Sequence, residues 1–202
     1  MKKVTNSTIL VLTIVTTYIQ ADGLYIGLEQ SLLNSVSNET EICNSSYSNS
    51  KSSNPTSFKI GSIMGKSDKD NHVEILYSKG EKSANPTGGL EGESLTSFSF
   101  FFNITTPSWS PKEEIIPYIR FGSSYTMSND KYRVQGTDKK EKYSATGLIL
   151  GIGDYYQVAE NINLSVGFDY QYRIWDKLSN NICSIESTDK VKKLYVGVDY
   201  LF

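Results

Sequence analysis

Eight stretches of the chain alternate between apolar and polar side chains with a period of two, the spacing of half-buried β-strands rather than helices. On one face they carry Leu24, Ile26, Leu28 and Leu32; Phe58, Ile60 and Met64; Val73, Ile75 and Tyr77; and Phe98, Phe100, Phe102 and Ile104. The later four carry Ile119, Phe121, Tyr125 and Met127; Leu148, Leu150 and Ile152; Ile162, Leu164, Val166, Phe168, Tyr170 and Tyr172; and Leu194, Val196, Val198, Tyr200 and Phe202. The gaps after odd strands are long and polar (34–56, 80–93, 128–142, 176–190), whereas those after even strands are shorter (66–71, 106–114, 157–161). Long alternating with short is what an up-and-down antiparallel sheet gives when its two ends face different surroundings. The first long gap contains "CNSSYSNSKSSNPTS", a Ser/Asn-rich run expected to be a mobile loop.

The opposite face is polar and rich in small residues. It carries Glu29, Lys59, His72, Glu74, Arg120, Asp169, Arg173 and Asp199 among glycines and serines. Such a sheet closes into a soluble, lipocalin-like barrel if the apolar face turns in, and into a membrane barrel if it turns out. Glycines favour the second closure, because a narrow interior needs the space they leave. The charges of that face are also mixed in sign, as an enclosed network requires. Glu29, Lys59, Glu74, Arg120, Asp169, Arg173 and Asp199 are the expected members of a network filling the lumen. Trp109 and Trp175, with tyrosines near strand ends, are expected as interface anchors.

The chain begins "MKKVTNSTILVLTIVTTYIQADG", two lysines and an apolar run from Ile9 to Ile19. That is the layout of a secretory signal peptide, 1–21, leaving 22–202 as one domain. Without Lys2 and Lys3 the net charge moves from −2 to −4, and there is no basic cluster, so nucleic acid is a poor partner. No apolar stretch after the signal is long enough for a spanning helix. No cysteine-histidine-carboxylate cluster suggests a metal or other cofactor. The GxG at Gly151–Gly153 is followed by strand pattern, not by the helix a dinucleotide site needs. The two cysteines, Cys43 and Cys183, lie in the first and last long gaps; closure of the barrel makes those gaps neighbours, so an exported chain is expected to join them.

"GLYIGLEQS" after the signal, "LGIGDYYQVAENINLSVGFDYQYRIW", and the terminal "YVGVDYLF" resemble the small eight-stranded outer-membrane β-barrels of the OmpA/OmpX-like and opacity-type families. The resemblance implies an all-β, eight-stranded antiparallel transmembrane barrel in a bacterial outer membrane. It also implies that the last strand, with Tyr200 and Phe202, is read by the barrel-assembly machinery. For function, the leading expectation is a non-enzymatic surface protein, structural or adhesin-like, meeting the lipid bilayer with its wall and a host or surface ligand with its loops. A narrow channel and a soluble carrier are the alternatives. Some barrels of this size modify lipid A using histidine, but the single histidine, His72, follows a short turn and faces inward with Glu74, on the wrong side for that chemistry.

Overall fold

In the computed structural model the described residues are 23–202 except 44, 66–68, 86–89, 111, 113, 134–139 and 180–183; the expected signal peptide, 1–21, lies outside them. Among the described residues there are twelve strands: β1 (Gly23–Ile42), β2 (Ser45–Ser52), β3 (Thr56–Ile63), β4 (His72–Lys82), β5 (Ser94–Thr105), β6 (Ile115–Ser128), β7 (Tyr132–Arg133), β8 (Lys140–Glu141), β9 (Ser144–Ala159), β10 (Ile162–Trp175), β11 (Leu178–Ser179) and β12 (Ser184–Leu201). Eight of them, β1, β3, β4, β5, β6, β9, β10 and β12, form the wall in that order, and β12 returns to pair antiparallel with β1. Closure leaves the wall without a free edge, which a sheet in hydrocarbon requires.

Exposure follows the alternation. Leu28, Phe58, Tyr77, Phe98, Phe121, Leu150, Phe168 and Val198 all point out and are exposed, while Glu29, Lys59, Glu74, Arg120, Asp169 and Asp199 are buried within. The apolar face is therefore outside, the arrangement of a transmembrane barrel, and the lipocalin-like closure is overturned. Glycines on the inner face accommodate large neighbours: a Cβ at Gly61 would lie 2.2 Å from the Tyr25 ring, and one at Gly167 would lie 2.3 Å from the Tyr195 hydroxyl. The interior is close-packed because small and large residues face each other across it.

The wall is taller than its apolar pattern. β1 runs on through 34–42, and the stretch expected to be a mobile loop returns as β2, paired from Ser35↔Ser52 to Ile42↔Ser45. β12 likewise begins at Ser184, inside the gap expected at 176–190. A register shift between Ser31 and Leu33 marks a bulge in β1. It turns both Leu32 and Leu33 outward, Leu33 being 65% exposed, and reverses the phase beyond them, so that Val36, Asn38 and Thr40 face in. A bulge adds one unpaired residue to one strand and shifts the parity of everything after it. β2, β1, β12 and β11 thus form a fin above the wall at the long-loop end. At the other end the connections are tight: a two-residue turn at 160–161 joins β9 to β10, and the turn after β5 contains a single 3-10 turn, Pro107–Trp109.

Candidate functional site

The lumen holds two ionic clusters rather than one. In the lower cluster, nearer the short turns, Arg120 from β6 places Nη2 2.7 Å from Glu74 Oε2 and Nη1 3.3 Å from Asp169 Oδ2 and 3.5 Å from Glu29 Oε2. Its Nε donates to Asn103 Oδ1 at 3.1 Å. The guanidinium carbon lies 4.4 Å from the Phe101 ring centre and 4.8 Å from that of Tyr195, contacts that stabilise a cation withdrawn from water. Lys59 Nζ bridges Glu74 Oε1 at 3.3 Å and Asp199 at 2.9 Å, and Lys193 pairs with Glu29. Four carboxylates thus meet three cations.

Hydrogen-bond direction can be followed through this cluster. Tyr25 and Tyr155 both donate their hydroxyl protons to Glu74 Oε1, at 2.8 and 3.0 Å. With the Tyr25 proton committed, its oxygen accepts from His72 Nδ1 at 3.1 Å, and the Tyr155 oxygen accepts from Asn103 Nδ2 at 2.6 Å. The His72 ring also stacks on Tyr155, with centres 4.6 Å apart. Glu74 is the hub: two cations and two phenols converge on one carboxylate, which satisfies a charge that burial would otherwise make costly.

Arg173 was expected in the same network and is not in it. Its partners are Glu81, Asp189 Oδ2 at 2.8 Å and Thr126, and they form a second cluster nearer the long loops. Asp189 there also accepts from Trp175 Nε1 at 2.9 Å and from Asn38 Nδ2 at 2.7 Å. A layer of Leu76, Phe101 and Ile149 is also buried in the lumen. A cavity of about 30 Å³ is lined by these three and by groups of both clusters, including Asn34, Glu81, Asp169, Gln171 and Lys193. It has room for roughly two waters. Above the upper cluster Ser83, Ala84, Asn85 and Leu90 are buried, so the described parts of the connection after β4 fold into the mouth. Leu90 packs with Leu95, Tyr143, Ala145 and Trp175, and Ala84 with Val36 and Val191.

Trp175 therefore corrects its expected role. It is 4% exposed and points inward, whereas its neighbour Ile174 faces out. Trp109, by contrast, is 67% exposed in the short turn after β5. Tyr200 and Phe202 are exposed on the outer face with ring centres 5.3 Å apart, edge to face, and the Phe202 N–H donates to Leu24 O. Cys43, at the tip between β1 and β2, has φ 48° and is disulfide-bonded; its N–H donates to Ser184 O at 3.3 Å. Cys183 lies outside the described residues.

Sequence reasoning missed Glu81, Asp189 and Lys193. Glu81 and Asp189 fell in gaps taken as loops. Lys193 shares the parity of Asp199 and Tyr195 on β12, which was the available signal. Outside the wall the ion pairs are exposed. Lys51 hydrogen-bonds Glu91 at 2.9 Å and holds its carboxyl below the ordinary value, and Glu39 raises Lys190 by the hydrogen bond it accepts.

No family model matches the chain, and no curated protein matches it. Among solved structures it is similar to Neisserial surface protein A, at 16% identity and a TM-score of 0.52 over 89% of this chain and 97% of that one. It is also similar to the outer membrane protein AlkL in lipid bilayers, at 13% identity and a TM-score of 0.51 over 92% of each chain. Together with the outward apolar face and the closed sheet, these likenesses establish the fold: the chain is built as a small eight-stranded outer-membrane β-barrel.

Proposed function

We propose that this protein is a non-enzymatic surface barrel of the bacterial outer membrane, exported by its N-terminal segment and adhesin-like, with the long-loop end outside the cell. The observation that carries the reading is the contrast between the two parts of the structure. The lumen is filled by ion pairs and stoppered at its mouth, while a polar sheet of Ser, Asn, Tyr and Lys residues stands above the wall. A filled lumen moves little, so the built surface that remains is the fin and its loops. His72 sits inside the wall at the short-turn end, remote from the outer leaflet where a lipid A hydrolase would work. The terminal strand, with Tyr200 and Phe202, serves assembly.

Replacing residues 44–53 with a short Gly/Ser turn tests the reading in cells that display the barrel. Adherence to surfaces coated with extracellular-matrix protein should fall, while the barrel keeps the heat-modifiable gel mobility of a folded wall. Undiminished adherence removes the role assigned to the fin. The second reading, a narrow channel, draws on the mid-lumen cavity. Planar-bilayer recordings decide it, since reproducible single channels that change on Arg120→Ala would favour transport.

A further inference from the structure

We propose that the outer face at the long-loop rim, from β4 across β3 and β1 to β12, is a binding surface for phosphate-bearing lipid headgroups of the outer leaflet. Lys79 and Lys82 on β4 and Lys190 and Lys192 on β12 all point outward there. Lys79 follows Tyr77 on the same face of β4, and Lys192 precedes Leu194 and Val196 on the same face of β12. The stems of Lys79 and Lys192 therefore start two residues, about 7 Å, beyond the apolar belt, at headgroup depth. Lys192 is paired across the strands with Tyr170 on one side and Ser35 on the other, so hydroxyl donors flank the cation.

Lys190 is held by Glu39 and Lys82 donates to Ser94, but Lys79 and Lys192 have no protein partner among the described residues. The outward rim positions of the other side, Thr96, Tyr125, Met127, Thr146 and Ile174, carry no cation. At the rim positions next to the belt the cations thus fall on one arc, against the lipid-facing wall, while Lys131, Lys142 and Lys177 stand farther out on the other side. Continuity with that wall selects a lipid over a soluble polyanion. Phosphate monoesters supply the charge and the acceptors that each ammonium and its adjacent hydroxyls can satisfy.

The inference rests on the wall's orientation and not on what the fin binds. The test is native mass spectrometry of full-length barrel extracted from outer membranes in a mild zwitterionic detergent, scoring retained bisphosphorylated lipid A. The Lys79→Gln/Lys192→Gln variant should retain at least tenfold less, each lysine near an anionic surface contributing about fivefold. Lys79→Arg/Lys192→Arg should restore retention, and Lys177→Gln, beyond the belt, should leave it unchanged. Heat-modifiable mobility confirms that each variant is folded. Equal retention by wild type and the double Gln variant overturns the proposal. So does a wild type that retains no phosphorylated lipid but binds heparin in a manner the double Gln variant loses, since the arc would then serve a soluble polyanion.

Discussion

Arg120→Met is the sharpest perturbation of the lumen. The guanidinium is fully buried and faces three carboxylates, at 2.7, 3.3 and 3.5 Å. Met fills much of the same volume without charge. The substitution leaves Glu29, Glu74, Asp169 and Asp199 with Lys59 and Lys193 only, and orphans Asn103 Oδ1. Removing one partner of a buried ion pair costs about 3–5 kcal/mol. With an m-value near 3 kcal/mol/M for urea, that is a loss of roughly 1–1.7 M in the unfolding midpoint. Adding Glu74→Gln removes the carboxylate nearest the missing cation, so the double variant should recover about 1–3 kcal/mol relative to the sum of the single ones. The assay is reversible urea unfolding in phospholipid vesicles, followed by tryptophan fluorescence. Trp175, packed in the mouth, reports the transition. A midpoint within about 0.3 M of wild type for Arg120→Met, or strict additivity in the double variant, would show that these charges are screened by water and that the lumen is not sealed.

Three further outcomes check other parts of the structure. A Cys43–Cys183 bridge would leave no reactive thiol in unreduced, denatured protein, and Cys43→Ser would cost on the order of 4 kcal/mol by the chain-entropy argument; two titratable thiols would refute it. Trp175→Ala should cost about 3–5 kcal/mol through loss of packing against Leu90, Leu95 and Tyr143 and of the bond to Asp189. Acrylamide should quench Trp109 and spare Trp175, the reverse result meaning that the mouth is open. Leu150→Arg, on the lipid-facing wall, should cost about 2–4 kcal/mol in a bilayer, whereas Ser37→Arg on the fin should leave vesicle stability unchanged; equal effects would place the apolar belt elsewhere.

The strands of the wall were legible because period-two alternation in Leu, Ile, Phe and Val is a strong pattern, and because its polar side had to become either solvent face or lumen. Parity alone placed Glu29, Lys59, Glu74, Arg120, Asp169 and Asp199 together. The fin was not legible. Its strands are made of Ser, Asn, Thr and Glu, whose strand preference is weak, and the bulge at Leu32–Leu33 breaks the parity just where the apolar signal ends. Trp175 illustrates a different failure. As an odd-numbered residue of β10 it shares the inward face of Asp169 and Arg173, but it was assigned outward by residue type, because tryptophan often sits at membrane interfaces. The split of the lumen into two clusters also escaped notice, since Leu76, Phe101 and Ile149 lie at inward positions amid stretches dominated by outward apolar residues.

The doubled leucine at positions 32 and 33 acts as a seam between two independently editable halves. Below it, spacing is fixed by the thickness of hydrocarbon; above it, strand pairs can be lengthened or trimmed in steps of two residues while each side chain keeps its facing. A lineage carrying such a seam can remodel the exposed sheet under immune or ligand selection without renegotiating how the barrel sits in lipid, whereas a one-residue change above it turns the fin inside out.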